Sequence, residues 1–363
     1  MVIGAQTGKG GKTTFMKATK GSEWRKWDLH FHTPSSYDYK DNSITDQEII
    51  DNLFACNIEV VAITDHHIID VPRIKNLQAL GSGKVTILPG IEFRAELGGN
   101  ESIHFIGLFS EKSDIENIWI KLQSNCCITN SDIINRGGNA YIHCNLKDTC
   151  KLIHDLGGLV SVHAGSKSNS LENITNSLPY KMALKKELVI SHIDMLELGK
   201  EDDQDDYNNI VFPAIKYRQP MIICSDNHNA KDYRVKQNLW IKADPSFEGL
   251  KQITFESQHR VKIQKEKPDF KEGKLIIDQV RFMTSSNKFT TNPINLNDNL
   301  NVIIGGKSSG KSILLYNIAK TLLADKEFLK KENIESKYDF RSEDTTYNFE
   351  IKTKGGFHQG RRI

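Results

Sequence analysis

The chain has 363 residues, of which 38% are hydrophobic and 26% charged, and its formal net charge is +2. That length exceeds one average domain of roughly 100 to 200 residues and predicts two or three units, while the near balance of charge excludes a global field for a polyanion. No run approaches the roughly 20 apolar residues of a membrane span, and no apolar stretch with a cleavage site opens the chain.

The first 22 residues read as a basic N-terminal tail, in which Lys9, Lys12, Lys17 and Lys20, followed by Arg25 and Lys26, face only Glu23. A solvated terminus is the plain reading and a polyanion-binding tail the alternative. Within it QTGKGGKTT has the look of a phosphate-binding loop, but Gln6 stands where the first glycine belongs and no strand precedes it, so that reading is set aside.

From Trp27 onward β-rich runs alternate with helix-compatible segments. Strands are predicted near 27–32, 58–64, 85–91, 102–109, 159–163, 193–198 and 220–225, and helices over 45–56, 72–80, 113–123, 147–156, 171–190 and 206–218. Thr45 and Glu48 form a capping-box pattern at the first helix. Seven βα repeats predict a closed α/β barrel over 23–260. After Arg260 the run VKIQKEKPDFKEG, with Pro268 and Gly273, reads as a linker over 261–273. A second module follows over 274–363, with KLIIDQVRFM as a strand, then NVII as a strand, a Gly/Ser loop and a helix. Cys56, Cys126, Cys127, Cys144, Cys150 and Cys224 show no C-x-x-C spacing and read as reduced thiols, which places the protein in the cytoplasm.

The polar residues of the barrel carry the chemistry. Most of the predicted strands end in a metal-competent side chain: His30 and His32 in DLHFHTPSSYD, Asp65 and His66 in AITDHH, Glu92 in LPGIEFR, His104 in IHFIGLF, His163 in GGLVSVHAGS, and Asp226 and His228 in PMIICSDNHN. In α/β barrels the C-terminal strand ends converge on one face. With period two, His30 and His32 point to the same side, Asp38 in the following loop can serve a neighbouring ion, and Glu92 has two oxygens with which to bridge ions. A lone histidine at a strand end is usually structural, but six such segments are hard to explain by packing, because unpartnered buried imidazoles and carboxylates are costly. Arg94 and Lys167 are candidate phosphate clamps. His67, His143, His154, His192, His259 and His358 have no such placement and read as structural or surface residues.

These motifs resemble the PHP (polymerase and histidinol phosphatase) superfamily, over roughly Trp27 to Arg260. The resemblance implies a distorted seven-stranded barrel with two or three divalent ions: one held by His30, His32, Glu92 and Asp226, a second by Glu92, His104 and His163, and a third by Asp38, His66 and His228. Asp38 stands where some members have histidine, and Asp65 matches the acidic residue beside a ligand histidine, as outer support or occasional ligand. Mixed imidazole and carboxylate donors suit Zn, Mn or Fe. The implied activity is metal-dependent phosphoester hydrolysis.

GGKSSGKS at 305–312 fits the P-loop pattern G-x-x-x-x-G-K-[ST] through Gly305, Gly310, Lys311 and Ser312, with Gly306, Lys307, Ser308 and Ser309 between them. It predicts ATP with Mg, backbone amides cradling phosphates and Lys311 reaching the terminal groups. Roughly fifty residues follow Ser312, too few by domain size for the later carboxylate strand. The module is therefore expected to be the front of a P-loop NTPase, either truncated or completed by another chain. The order of parts resembles the TrlF family, in which a PHP domain is fused to an AAA/SMC-like ATPase, and implies a phosphoesterase acting on nucleic acid, DNA or RNA. A small-molecule phosphomonoesterase of histidinol-phosphatase type and a catalytically silent recognition module are the alternatives.

Overall fold

A computed structural model describes residues 20–97, 102–235, 237–269, 271–283, 289–322, 348–356 and 358–361. The tail as far as residue 19, with its QTGKGGKTT run, lies outside them. Among the described residues one large sheet holds nine strands: β1 (Glu23–Phe31), β2 (Ile58–Ile63), β3 (Thr86–Ala95), β4 (Ile103–Leu108), β5 (Leu159–Ala164), β6 (Met195–Leu198), β7 (Met221–Ile222), β8 (Leu239–Ala243) and β9 (Val261–Ile263). Their order is β7-β6-β5-β4-β3-β2-β1-β8-β9.

The central strands are near-continuous apolar runs because both their faces are covered. β4, β5 and β6 are buried along their whole length. Helices cover the outside, beginning with Asp46–Ala55, whose capping box of Thr45 and Glu48 forms as expected. The predicted helix over 206–218 is instead three short pieces, Asp203–Asp206, a π-helical Tyr207–Val211 and Phe212–Ile215.

The expectation of seven parallel βα repeats needs correcting at β4, which pairs antiparallel with both β3 and β5. A hairpin therefore replaces one βα unit. Two further strands, β8 and β9, extend the sheet beyond β1 in antiparallel order. β8 has the alternating burial of a half-covered strand, with Leu239, Ile241 and Ala243 inward. β9 takes its three residues from the start of the segment read as a linker.

The barrel closes at one rim. Glu23 to Trp27 of β1 pair with β8, whereas the end of β1 takes up the segment after β7: the Asp226 amide donates to the His30 carbonyl at 3.0 Å and the His32 amide to the Asn227 carbonyl at 3.1 Å. First and last barrel strands thus meet where the sequence concentrates histidine and aspartate.

Beyond the barrel, β10 (Ile277–Phe282), β11 (Ile294–Asn295), β12 (Phe349–Thr353) and β13 (His358–Arg361) form a small antiparallel sheet in the order β11-β10-β12-β13. Val280, Phe282, Phe349 and Ile351 make its core, with Leu314 and Ile318 of the helix Lys311–Leu322 packed against it. The strand expected over 301–304 does not form: these residues are unpaired, and Val302 and Ile304 are exposed. This module touches the barrel beside the start of β1, where Asn297 Nδ2 donates to the Ser22 carbonyl at 3.1 Å, and the preceding segment joins there through Trp24 Nε1, which donates to Asp269 Oδ2 at 2.8 Å. No helix among the described residues is long and apolar enough to cross a membrane.

Candidate metal centre

β1 delivers His30 and His32 to the interior of the closed rim, both fully buried. β2 is continued by a bridge between His66 and Glu92, and the Glu92 amide donates to the Asp65 carbonyl at 3.2 Å. His66 and Glu92 are thereby held side by side. The reversal of β4 explains His104: it opens its strand rather than ending it, and antiparallel pairing with Arg94 returns it to the same rim. β5 brings His163, and the turn after β7 brings Asp226 in the left-handed region, at φ 49°. A non-glycine residue holds that conformation only where its surroundings impose it.

These groups converge closely. His30 Nε2 lies 3.0 Å from His32 Nε2, 3.1 Å from Glu92 Oε2 and 3.2 Å from Asp226 Oδ1. His32 Nε2 is 3.1 Å from the same Glu92 oxygen and 3.4 Å from Asp226 Oδ1. Across the rim, Asp38 Oδ2 sits 3.3 Å from His66 Nε2 and 3.2 Å from His228 Nε2. The other Glu92 oxygen meets His104 Nδ1 at 2.6 Å. Four donor groups result, each with its atoms within 4.8 Å of one another: His30, His32, Glu92 and Asp226; His32, Asp38, His66 and His228; His66, Glu92 and His104; and His30, His163 and Glu197.

The first two groups contain the ligand sets expected for two of the ions. In the remaining set, Glu92 and His104 come together, while the His163 Nε2 atom lies 3.8 Å from both Glu92 Oε1 and Glu197 Oε2. That atom is buried without a hydrogen-bond partner, as is Nδ1 of His66. Burial, and then the charge of Lys167, pushes the His163 pKa down to about 3. It presents the neutral imidazole that metal ligation requires. Imidazole nitrogens gathered beside one another and beside carboxylate oxygens fit a divalent cation.

Glu197 is the residue sequence reading passes over. Fully buried at the third position of β6, it accepts from His30 Nδ1 at 3.0 Å and pairs with Lys167 Nζ at 2.6 Å. The strand-end rule that selects the other donors covers it too, since MLEL ends on the same rim.

The residues expected to clamp phosphate are engaged elsewhere. Lys167 Nζ bridges Glu197 and, at 3.1 Å, Asp226 Oδ2. Burial opposes its charge, but these two carboxylates hold its pKa well above the ordinary value. Its loop is fixed by Asp203, whose Oδ2 accepts from the amides of Ser166, Gly199 and Lys200 at 2.9, 3.1 and 3.2 Å. Gly165, at φ +66°, leaves that carboxylate room: a Cβ there would lie 2.5 Å from it. Arg94 donates to the Ala140 carbonyl at 3.1 Å and to the Tyr37 hydroxyl, and its guanidinium lies over the Tyr37 ring. Asp65 is buried and takes both Thr33 donors, the amide at 2.6 Å and the hydroxyl at 2.7 Å, and it lies outside the donor groups. Burial raises its pKa to about 6. His67, expected to be structural or at the surface, is buried beside His66 with neither ring nitrogen hydrogen-bonded.

In the second module Gly310 has φ +84° and a Cβ there would lie 2.8 Å from Phe289. Lys311 folds back, with Nζ 2.7 Å from the carbonyls of Gly305 and Gly306, and Ser309 Oγ donates to Gly306 at 2.9 Å. Gly305, Ser309, Gly310 and Lys311 line a cavity of about 250 Å³. Lys307, Ser308 and Ser312 do not line it.

No protein-family model matches the chain, and no curated protein sequence does. Solved structures similar to it include a protein of Bifidobacterium adolescentis assigned as a metal-dependent phosphoesterase, at 13% identity and TM-score 0.43, covering 64% of this chain and 96% of that one. The lesion-specific endonuclease EndoQ of Pyrococcus furiosus is 16% identical, with TM-score 0.48 over 74% of this chain and 64% of its own. An amidohydrolase of Chromobacterium violaceum is 15% identical, with TM-score 0.40 over 66% and 98%. At this level of similarity the functional reading rests on the donor geometry of the rim.

Proposed function

We propose that the chain is a metal-dependent phosphoesterase of PHP type that cleaves phosphodiesters of nucleic acid. One observation carries the reading: Glu92 places its two oxygens between His30, His32 and His66 on one side and His104 on the other. A carboxylate so placed neutralises two cations at once. His30, His32, Glu92 and Asp226 would hold one ion, Asp38, His66 and His228 another, and Glu92, His104 and His163 a third. Bound divalent ions of the Zn, Mn or Fe class supply charge neutralisation and a nucleophile at neutral pH. The protein's own part is to orient the donors and to set carboxylates beside the imidazoles. Glu197 serves the first purpose by accepting from His30 Nδ1.

The resemblance to PHP proteins fused to P-loop ATPases supports a nucleic-acid substrate, and the second module is read as an ATP- and Mg-binding regulator. Lys311, within reach of the loop carbonyls, would turn to the terminal phosphates of a nucleotide.

The test is metal analysis of the purified chain, followed by hydrolysis of a phosphomonoester, a phosphodiester and labelled nucleic acids. Diester cleavage that follows metal content is expected, and Glu92→Gln should lose metal and activity together, because an amide cannot neutralise two cations. Activity confined to monoesters, or full metal stoichiometry in Glu92→Gln, would overturn the assignment.

A further inference from the structure

Resting on the phosphodiester reading, we propose that Lys40 and Arg234 form a subsite for a second phosphate of a polynucleotide, beside the ester that the donor rim faces. A phosphate chain needs cations, and of the two expected from sequence Lys167 is paired with Glu197 and Asp226, while Arg94 is hydrogen-bonded to Tyr37 and Ala140 away from this cavity. An open cavity of about 590 Å³ adjoins the outer edge of the rim, where Asp38, Asp226 and His228 line it. Lys40 and Arg234 line the same cavity. Both are exposed, and among the described residues neither pairs with a carboxylate. Asp38 and Asp226 belong to the donor groups, so the rest of the cavity sets these two cations against Asp232 alone.

The cations are free at their tips but fixed at their bases. The Lys40 amide donates to the His228 carbonyl at 3.0 Å, and the neighbouring Tyr39 is buried, its hydroxyl accepting from the Ala230 amide at 2.8 Å. Arg234 follows Tyr233, which is buried and donates to Asp28 Oδ2 at 2.8 Å. Two anchored cations over one cavity suit a backbone of repeated phosphates, whereas a single small phosphoester on the rim would reach neither of them by need. Asn227 and Asn229 on the same wall add neutral donors for sugar or phosphate oxygens.

The experiment uses the full chain loaded with Mn²⁺ and the double variant Lys40→Gln/Arg234→Gln, with Lys40→Arg as the charge-retaining control. Binding of a labelled single-stranded oligodeoxynucleotide is measured across a salt series. The double variant is expected to bind about tenfold more weakly, as for the loss of one charge-assisted hydrogen bond or more, and its salt slope to flatten by about 0.7 per lost phosphate contact. Lys40→Arg should bind as the unaltered chain does. In parallel, the ratio of kcat/KM for the oligonucleotide to that for bis-p-nitrophenyl phosphate should fall to a similar extent. Unchanged affinity and slope in the double variant, or no oligonucleotide binding by the unaltered chain, would overturn the subsite. If the loaded chain cleaves neither diester, it is the phosphodiesterase reading that fails, and the binding series still decides the subsite.

Discussion

Glu92 could not hold its central place without residues behind the donors, and Glu197 is the clearest of these. Its carboxylate accepts from His30 Nδ1, so that Nε2 is the nitrogen facing Glu92 and Asp226 and the one that would ligate an ion. Burial raises the cost of the Glu197 charge, yet Lys167 and then His30 hold its pKa down at about 2. Glu197→Gln keeps the shape but removes the charge that orients His30 and balances Lys167. Metal affinity should fall by roughly 10- to 100-fold, as for other outer supports of ligand histidines, and calorimetric titration with Zn²⁺ or Mn²⁺ would measure it. Wild-type affinity in that variant would mean that Lys167 and Glu197 neutralise each other without consequence for His30.

Elements, rather than single residues, decide which donors meet. The helix Leu146–Asp155 is clasped to the sheet by His154, whose Nε2 lies 2.8 Å from Asp194 Oδ2, the same oxygen that accepts from the Val160 amide at 2.7 Å. The hydrogen bond to Asp194 raises the His154 pKa above its ordinary 6.5. The folded chain therefore binds that proton more tightly than the unfolded chain. The stabilisation is complete below the unfolded value near 6.5 and is lost as pH rises through the higher folded value. His154→Gln should lower the melting temperature most below about pH 6.5 and least in alkali, and an equal loss at every pH would exclude the clasp. Histidine at this position reads from sequence as structural or surface, and it sits half-buried on Asp194. Much of the barrel is equally legible: seven runs predicted as strands form β1 to β7, because a run apolar on both faces has few other places to go. What pattern alone does not carry is direction. Nothing in IHFIGLF distinguishes a parallel strand from the returning arm of a hairpin, and His104 joins His66 and Glu92 although it begins its strand. β8 escapes for another reason, since LWIKA follows the last histidine motif and its alternating, half-exposed residues look like surface. Likewise NVII has the composition of a buried strand, yet no neighbouring strand among the described residues pairs with it.

For the molecule as a whole, the donors from His30 to His228 all lie before the second module, but the barrel sheet does not stop at Arg260. β9 buries Ile263 and pairs with β8, Trp240 Nε1 donates to the Gln264 carbonyl at 3.1 Å, and Asn238 Nδ2 donates to the Lys265 carbonyl at 2.6 Å. A chain ending at Lys267 should fold and bind metal, whereas one ending at Arg260 should be less stable by about 2 to 3 kcal/mol, the burial of one isoleucine side chain and its neighbours. Urea unfolding with metal content read in parallel compares them, and identical midpoints would show that β9 contributes nothing. The closing of the barrel through β1 has a consequence in time as well. His30 and His32 leave the ribosome early, but their partners Asp226 and His228 come from the far end of the ring, and main-chain bonds from Asp226 and Asn227 to β1 complete it. Contacts so distant in sequence form late and slowly. A nascent chain can offer only fragments of the centre, such as two histidines or a lone carboxylate, and fragments bind cations weakly. Metal capture would then wait until the segment carrying Asp226 and His228 has emerged and closed onto β1.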